Sequence, residues 1–197
     1  MSPDSQISIE QIFSFIIEIE KLKAVLRKTK PVGLDRYENS AEHSWHVCLT
    51  ALLFKDYANE SLDIERVIKM LLLHDLGEID TGDTIVYAAE TPEVKAAEVA
   101  AVQRILSLLP EPLSQELWLI WEEFEAGITP EAVYAKAIDR VPPLLHNLYG
   151  NGHSWKDNNI SAEQIYAVNS RIEKGSKPVW QYLKAKISQA EAEGVIH

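Results

Sequence analysis

The residues in this chain best suited to chemistry are His74 and Asp75, which close the apolar run Met70-Leu71-Leu72-Leu73 and precede Leu76-Gly77. An aspartate buried bare among leucines carries a large desolvation cost and needs a compensating cation. A metal ion meets that need. The partners for the rest of its coordination are His43, in Asn39-Ser40-Ala41-Glu42-His43-Ser44, and Asp139, in Ala135-Lys136-Ala137-Ile138-Asp139-Arg140. Two imidazoles with two carboxylates form a mixed nitrogen and oxygen set, suited to Mn, Co, Ni, Fe or Zn and less to Ca. Water would fill the open positions, acidified enough by a divalent cation to supply hydroxide near neutral pH. No histidine lies between Asp75 and Asp139, so the extra imidazoles a second ion would use there are missing and a mononuclear centre is expected.

Other ionisable residues gather around this pattern. Glu78 lies at i+4 from His74 and i+3 from Asp75, so a continuing helical turn would bring it beside the same ion. It opens the acidic turn Glu78-Ile79-Asp80-Thr81-Gly82-Asp83, whose carboxylates lack a basic neighbour in sequence. His46, at i+3 from His43, falls beside the same site and is carried as a substrate-binding candidate. His146, His153 and His197 have no matching acidic partner and read as structural or exposed.

The elements that must position these residues read as helices throughout. Ile9, Ile12, Phe13, Ile16, Ile17 and Ile19 recur near the helical period, and Pro31-Val32-Gly33 is expected to stop that first helix. Asn39 with Glu42 forms a capping-box pattern for a helix over 40–57. Ile64, Val67, Ile68, Leu71 and Leu72 carry a third helix up to Gly77, apolar nearly all round at its end and hence central. Further helices are expected over 92–109 and 113–124. Thr129-Pro130 caps another, which Pro142-Pro143 breaks just after Asp139. Two more, over 162–173 and 178–193, complete the chain. No run alternates long enough to make a strand, and no internal repeat is visible, so the fold class is all-α. The tryptophans at 118 and 121 share one helix face and read as packing residues.

At 197 residues the chain fits one domain with a full core. No apolar stretch approaches a membrane span and Met1-Ser2-Pro3-Asp4 lacks the basic start of a signal peptide, so a cytoplasmic protein is expected. Cys48 stands alone among apolar neighbours and reads as a core thiol. The net charge of -11 argues against a general nucleic-acid binder, since phosphate-backbone binding relies on Lys and Arg. Six of the 19 basic residues nonetheless fall within residues 21–36. They read either as a local anion site or as a solvated helix end.

Taken together, His43, His74-Asp75 and Asp139 in an all-α chain resemble the HD-domain metal-dependent phosphohydrolases. Asn39 to Ser44, Leu73 to Glu78 with Thr81-Gly82-Asp83, and Leu117-Trp118 with Trp121-Glu122-Glu123-Phe124-Glu125 are similar to the branch with bacterial 5'-deoxynucleotidases and HD-domain-containing protein 2. The resemblance covers about residues 20–150 and implies one helical HD domain over 1–197, with the C-terminal helices packed on the motif region. It implies His43, His74, Asp75 and Asp139 as ligands of one divalent ion (Mn, Co, Ni, Fe, Zn or Mg), Glu78 and Asp83 as catalytic acids, and Arg27 as the holder of the substrate phosphate. The chain departs from several members at Lys28, where they carry a tryptophan near the sugar, which removes that basis for 2'-deoxyribose selectivity. Hydrolysis of (deoxy)nucleoside 5'-monophosphates is the leading expectation, with a nucleotide and a second copy of the chain as partners. Hydrolysis of another phosphate ester, such as a cyclic nucleotide or an alarmone, and silent nucleotide binding are the alternatives.

Overall fold

In the computed structural model, residues 3–88 and 91–196 are described, with backbone alone for residues 3–7. His197 lies outside the described residues. Among them the regular structure is helical. The long helices are α1 (Pro3–Ile19), α2 (Ser40–Phe54), α3 (Ile64–Leu73), α5 (Pro92–Leu106), α6 (Leu113–Ala126), α7 (Pro130–Asp139), α8 (Val141–Tyr149), α10 (Ala162–Asn169) and α12 (Lys177–Ala192). Short turns α4 (Glu78–Thr81), α9 (His153–Asp157) and α11 (Ile172–Gly175) link them.

Local chemistry sets the helix starts. Asn39 accepts from the Glu42 backbone N–H while the Glu42 carboxylate accepts from the Asn39 N–H, the reciprocal cap the sequence pattern anticipates. Asp63 caps α3 through the N–H groups of Glu65 and Arg66, and Thr129 with Pro130 opens α7. Helix α3 packs against α2, α6 and α7, burying Val67, Met70, Leu71 and Leu73, and so occupies the centre that its apolar end requires. The α2–α7 contact carries a polar pin, since the buried Tyr134 hydroxyl donates to the Ala51 carbonyl at 2.9 Å. Cys48 is buried, and burial pushes its thiol up to about 11, consistent with an inert core residue. Trp118 and Trp121 stack at 5.2 Å on α6.

Three expectations need correction. The first helix, with its short 3₁₀ extension, ends at Ala24 rather than Pro31. Residues 25–29 turn back antiparallel along 38–40 instead, through Arg27 N–H to Glu38 O (2.8 Å), Glu38 N–H to Thr29 O (2.9 Å) and Ser40 N–H to Val25 O (3.0 Å). Those cross-chain bonds take backbone groups that a helix would use internally, and Pro31 disfavours helix at Lys30. Arg27 therefore belongs to a hairpin, not to a helix end. The second correction is that α3 stops at Leu73, and residues 74–77 form tight turns into α4. Gly77 lets α5 pack close against this turn, since a Cβ there would meet Glu98 Cγ at 3.0 Å and Val102 Cγ2 at 3.2 Å. Third, the helix expected over 162–173 divides into α10 and α11, and α9 has no counterpart in the sequence reading. The break after Asp139 stands as expected, with α8 carrying proline in its first turn.

Candidate functional site

Three helix ends and one hairpin line a cavity of about 610 Å³, with the His43 ring of α2 buried behind Asp139. His43 projects from α2 and is fully buried; His74 and Asp75 end α3; Asp139 ends α7; Glu78 opens α4. Asp139 Oδ1 lies 2.9 Å from His43 Nε2 and 3.4 Å from His74 Nε2, and Asp75 Oδ1 lies 3.2 Å from His74 Nε2. One ligand atom from each of His43, His74 and Asp139 lies within 4.8 Å of the others.

The set fits a divalent metal ion. His74 Nδ1–H donates to the Leu71 carbonyl at 2.8 Å, which fixes the tautomer and leaves the lone pair on Nε2. That Nε2 is buried and has no hydrogen-bond partner, a state a ligated ion would resolve. Burial opposes the charge on Asp139, but its hydrogen bond to His43 and the nearby His74 imidazole prevail and hold the carboxyl well below its ordinary range. His74 shows the converse: burial works against its charged form, yet Asp75 and Asp139 raise it to about 9 when no ion is present.

Arg27 bridges this set to the catalytic-acid candidates. Its Nη1 donates to Asp75 Oδ2 at 2.7 Å and lies 3.6 Å from Asp83 Oδ1 and 3.8 Å from Glu78 Oε1. Burial disfavours the guanidinium charge, but the surrounding carboxylates of Asp75, Glu78, Asp83 and Asp139 outweigh it and raise its pKa. Glu78 is fixed by Ser40 Oγ–H, which donates to its Oε2 at 2.6 Å. Burial and then the Asp75 charge push Glu78 up to about 8. Burial likewise raises Asp83, with Arg27 pulling the other way.

The structure thus brings together His43, His74, Asp75, Asp139, Glu78, Asp83 and Arg27. It does not bring His46 to the cavity wall. Successive turns of α2 point His43 inward while His46 turns toward His146, with ring centroids 6.0 Å apart. Residues that sequence spacing did not single out are Glu38, which faces both His43 and Arg27, and the cavity wall residues Tyr87, Arg140, Asn169 and Arg171. Ser40 could have been noticed as the first residue of a capped helix. The wall residues carry no such signal, because they meet the site only through tertiary packing, as when Trp155 Nε1–H donates to Tyr87 Oη at 3.0 Å.

Residues 19–180 match the sequence profile described as HD domain. The chain belongs to the HD domain family. A crystal structure from Magnetospirillum magnetotacticum, described as a predicted metal-dependent phosphohydrolase, superposes with a TM-score of 0.90 at 38% identity, covering 96% of this chain and 98% of that one. The 5'-deoxynucleotidase HDDC2 of Homo sapiens is 32% identical over 137 residues, 66% of this chain and 65% of the relative. The bovine protein of the same name is 34% identical over the same coverage. The match thus spans just under two thirds of these relatives' length. A conserved hypothetical protein from Pyrococcus furiosus shares the fold at 22% identity and a TM-score of 0.61. Among the described residues of this HD-domain protein, no helix is long and apolar enough to cross a membrane.

Proposed function

We propose that this HD-domain protein is a metal-dependent phosphohydrolase that converts nucleoside 5'-monophosphates to nucleoside and phosphate. The observation that carries the reading is the part-buried Arg27 guanidinium, held 2.7 Å from Asp75 at the edge of an imidazole and carboxylate set that fits a metal. An acidic protein would otherwise repel a phosphate dianion; a cation and a metal set facing one cavity give it a place. The names of the human and bovine relatives support a 5'-nucleotide as the substrate.

His43, His74, Asp75 and Asp139 would hold the divalent ion, which when bound supplies Lewis acidity and an acidified water near neutral pH. Arg27 exchanges its bond to Asp75 for phosphate oxygens and neutralises their charge. Its planar fork matches two such oxygens at once. Between them, Glu78 and Asp83 take a proton from the attacking water and return one to the departing 5'-oxygen. The phosphorus gains the water oxygen and loses the sugar oxygen, so the products are the nucleoside and inorganic phosphate. Lys28, exposed at the cavity mouth, leaves the sugar position without an aromatic wall from that residue, and we infer that ribonucleotides are accepted alongside deoxyribonucleotides.

The proposed setting is the cytoplasm, and the proposed assembly a homodimer, supported by exposed apolar residues Trp45, Leu49 and Leu53 along α2. Sedimentation velocity tests the assembly. The activity is tested by phosphate release from a panel of ribo- and deoxynucleoside 5'-monophosphates with Mn²⁺ or Co²⁺ added. Release from several 5'-monophosphates and none from 3'-monophosphates is expected. Release confined to cyclic nucleotides, or binding without release, would overturn the reading.

A further inference from the structure

A second cluster of ligating side chains lies on the other side of the His43 ring. Glu38 comes from the hairpin, His46 from α2 and His146 from α8, and one ligand atom from each lies within 4.8 Å of the others. Glu38 and His146 are each only 2% exposed. The two oxygens of Glu38 face different ways. Its Oε2 looks toward His43 Nδ1 at 3.5 Å and Arg27 Nε at 3.6 Å, and has no hydrogen-bond partner. Its Oε1 faces His146 Nε2 at 3.8 Å, beyond hydrogen-bonding range. A buried carboxylate so loosely satisfied is costly unless something else approaches it.

From this geometry we propose that Glu38, His46 and His146 form a second, separate site for a borderline divalent ion such as Zn²⁺. Zinc binds imidazole nitrogen and carboxylate oxygen at about 2.0–2.2 Å, so two donors on one ion stand about 3.4 Å apart at tetrahedral angles and somewhat further apart at wider ones. The 3.8 Å gap between Glu38 Oε1 and His146 Nε2 is of that size. Thr29 Oγ1 lies 3.1 Å from His146 Nδ1 and can accept its proton, which directs the Nε2 lone pair into the gap. Burial lowers the pKa of both imidazoles, that of His146 to about 4, so both are neutral and able to ligate near pH 7. Two imidazoles and one carboxylate are a set zinc uses, with water completing the tetrahedron. His46 is only half-buried and gives the ion its way in.

This is not a dinuclear centre, because the His43 ring separates the two sets: its Nε2 turns to Asp139 and its Nδ1 to Glu38. The ion would tie the hairpin that carries Arg27 to α2 and α8. It would draw on Glu38 Oε1, while Oε2 stays turned toward His43 Nδ1 at 3.5 Å.

The test is the zinc content of the full chain, stripped with chelator, reloaded with Zn²⁺ and desalted before elemental analysis. About two ions per chain are expected in the wild type, about one in His46→Ala, about one in His74→Ala and none in the double variant. His146→Gln serves as a second probe from a different helix and should match His46→Ala. Added Zn²⁺ should also raise the melting temperature of His74→Ala, and that rise should vanish in the double variant. A wild type that retains one zinc ion, or His46→Ala and His146→Gln variants that both retain the wild-type amount, would overturn the site.

Discussion

Replacing Arg27 by alanine perturbs the molecule in two measurable ways. In the metal-free protein the guanidinium is the cation closest to four acids: it lies 2.7 Å from Asp75, 3.6 Å from Asp83, 3.8 Å from Glu78 and, through Nε, 3.6 Å from Glu38. Breaking a buried pair from one side costs about 3–5 kcal/mol, because the partner charges stay behind uncompensated. For a chain of this size each kcal/mol lowers the melting temperature by about 2–4 °C, so Arg27→Ala should melt about 6–20 °C below the wild type in chelator. Catalysis supplies the second reading. Charge-assisted bonds to a phosphate are worth about 1.5–3 kcal/mol, so kcat/KM for a nucleoside 5'-monophosphate should fall about 10–150-fold with Mn²⁺ at saturation. Lys28→Ala is the control. Its ammonium is exposed and screened by solvent, so it should cost much less in both measurements. Arg27→Lys should fall between, retaining charge but losing the fork. Equal small losses in Arg27→Ala and Lys28→Ala, or a wild-type melting temperature for Arg27→Ala, would refute the reasoning.

Glu78→Gln should keep the metal and the bond from Ser40, which an amide oxygen also accepts, while lowering kcat by about 10²–10⁴-fold; wild-type turnover would remove Glu78 from the proton steps. Chiefly through burial, His146 drops from 6.5 to about 4 on folding, so the unfolded chain binds the extra proton more readily over that window. Its contribution to stability is complete above about pH 6.5 and is lost as pH falls toward 4, by about 3 kcal/mol in all. Urea unfolding in chelator should therefore show a shallower decline for His146→Gln than for the wild type, and parallel curves would count against it. Gly175→Ala would place a Cβ 2.5 Å from Ala137 Cβ and 2.9 Å from Tyr134 Cα, forcing α11 away from α7. Such overpacking costs about 1–3 kcal/mol, a fall of about 2–12 °C that thermal melting should detect; an unchanged midpoint would show that the contact relaxes freely.

The convergence of His43, His74, Asp75 and Asp139 was legible because they sit at helix ends that local signals define. Asn39 and Glu42 fix where α2 begins and hence the register of His43, and the apolar stripe of α3 sends His74 and Asp75 to the core. Glu78 reaches the same cavity by a different route from the one its spacing suggests. The helix does not continue through it, but the tight turns at 74–77 bring it to the same cavity. Residues 21–36 were the least legible stretch. Their basic side chains fit a solvated helix end equally well, and only the backbone pairing across to Glu38 shows that Arg27 turns inward.

The sequence by itself determined the helical class, the starts of α2, α3 and α7 and the spacing of His43, His74, Asp75 and Asp139, because caps, prolines and apolar periodicity act over a few residues. Tertiary structure alone decided which acids share Arg27, that His46 turns to Glu38 and His146, and which distant residues such as Arg171 wall the cavity. Those relations join positions tens of residues apart. They depend on how helices cross, and a pattern read along one chain segment holds no information about the angle at which another segment meets it.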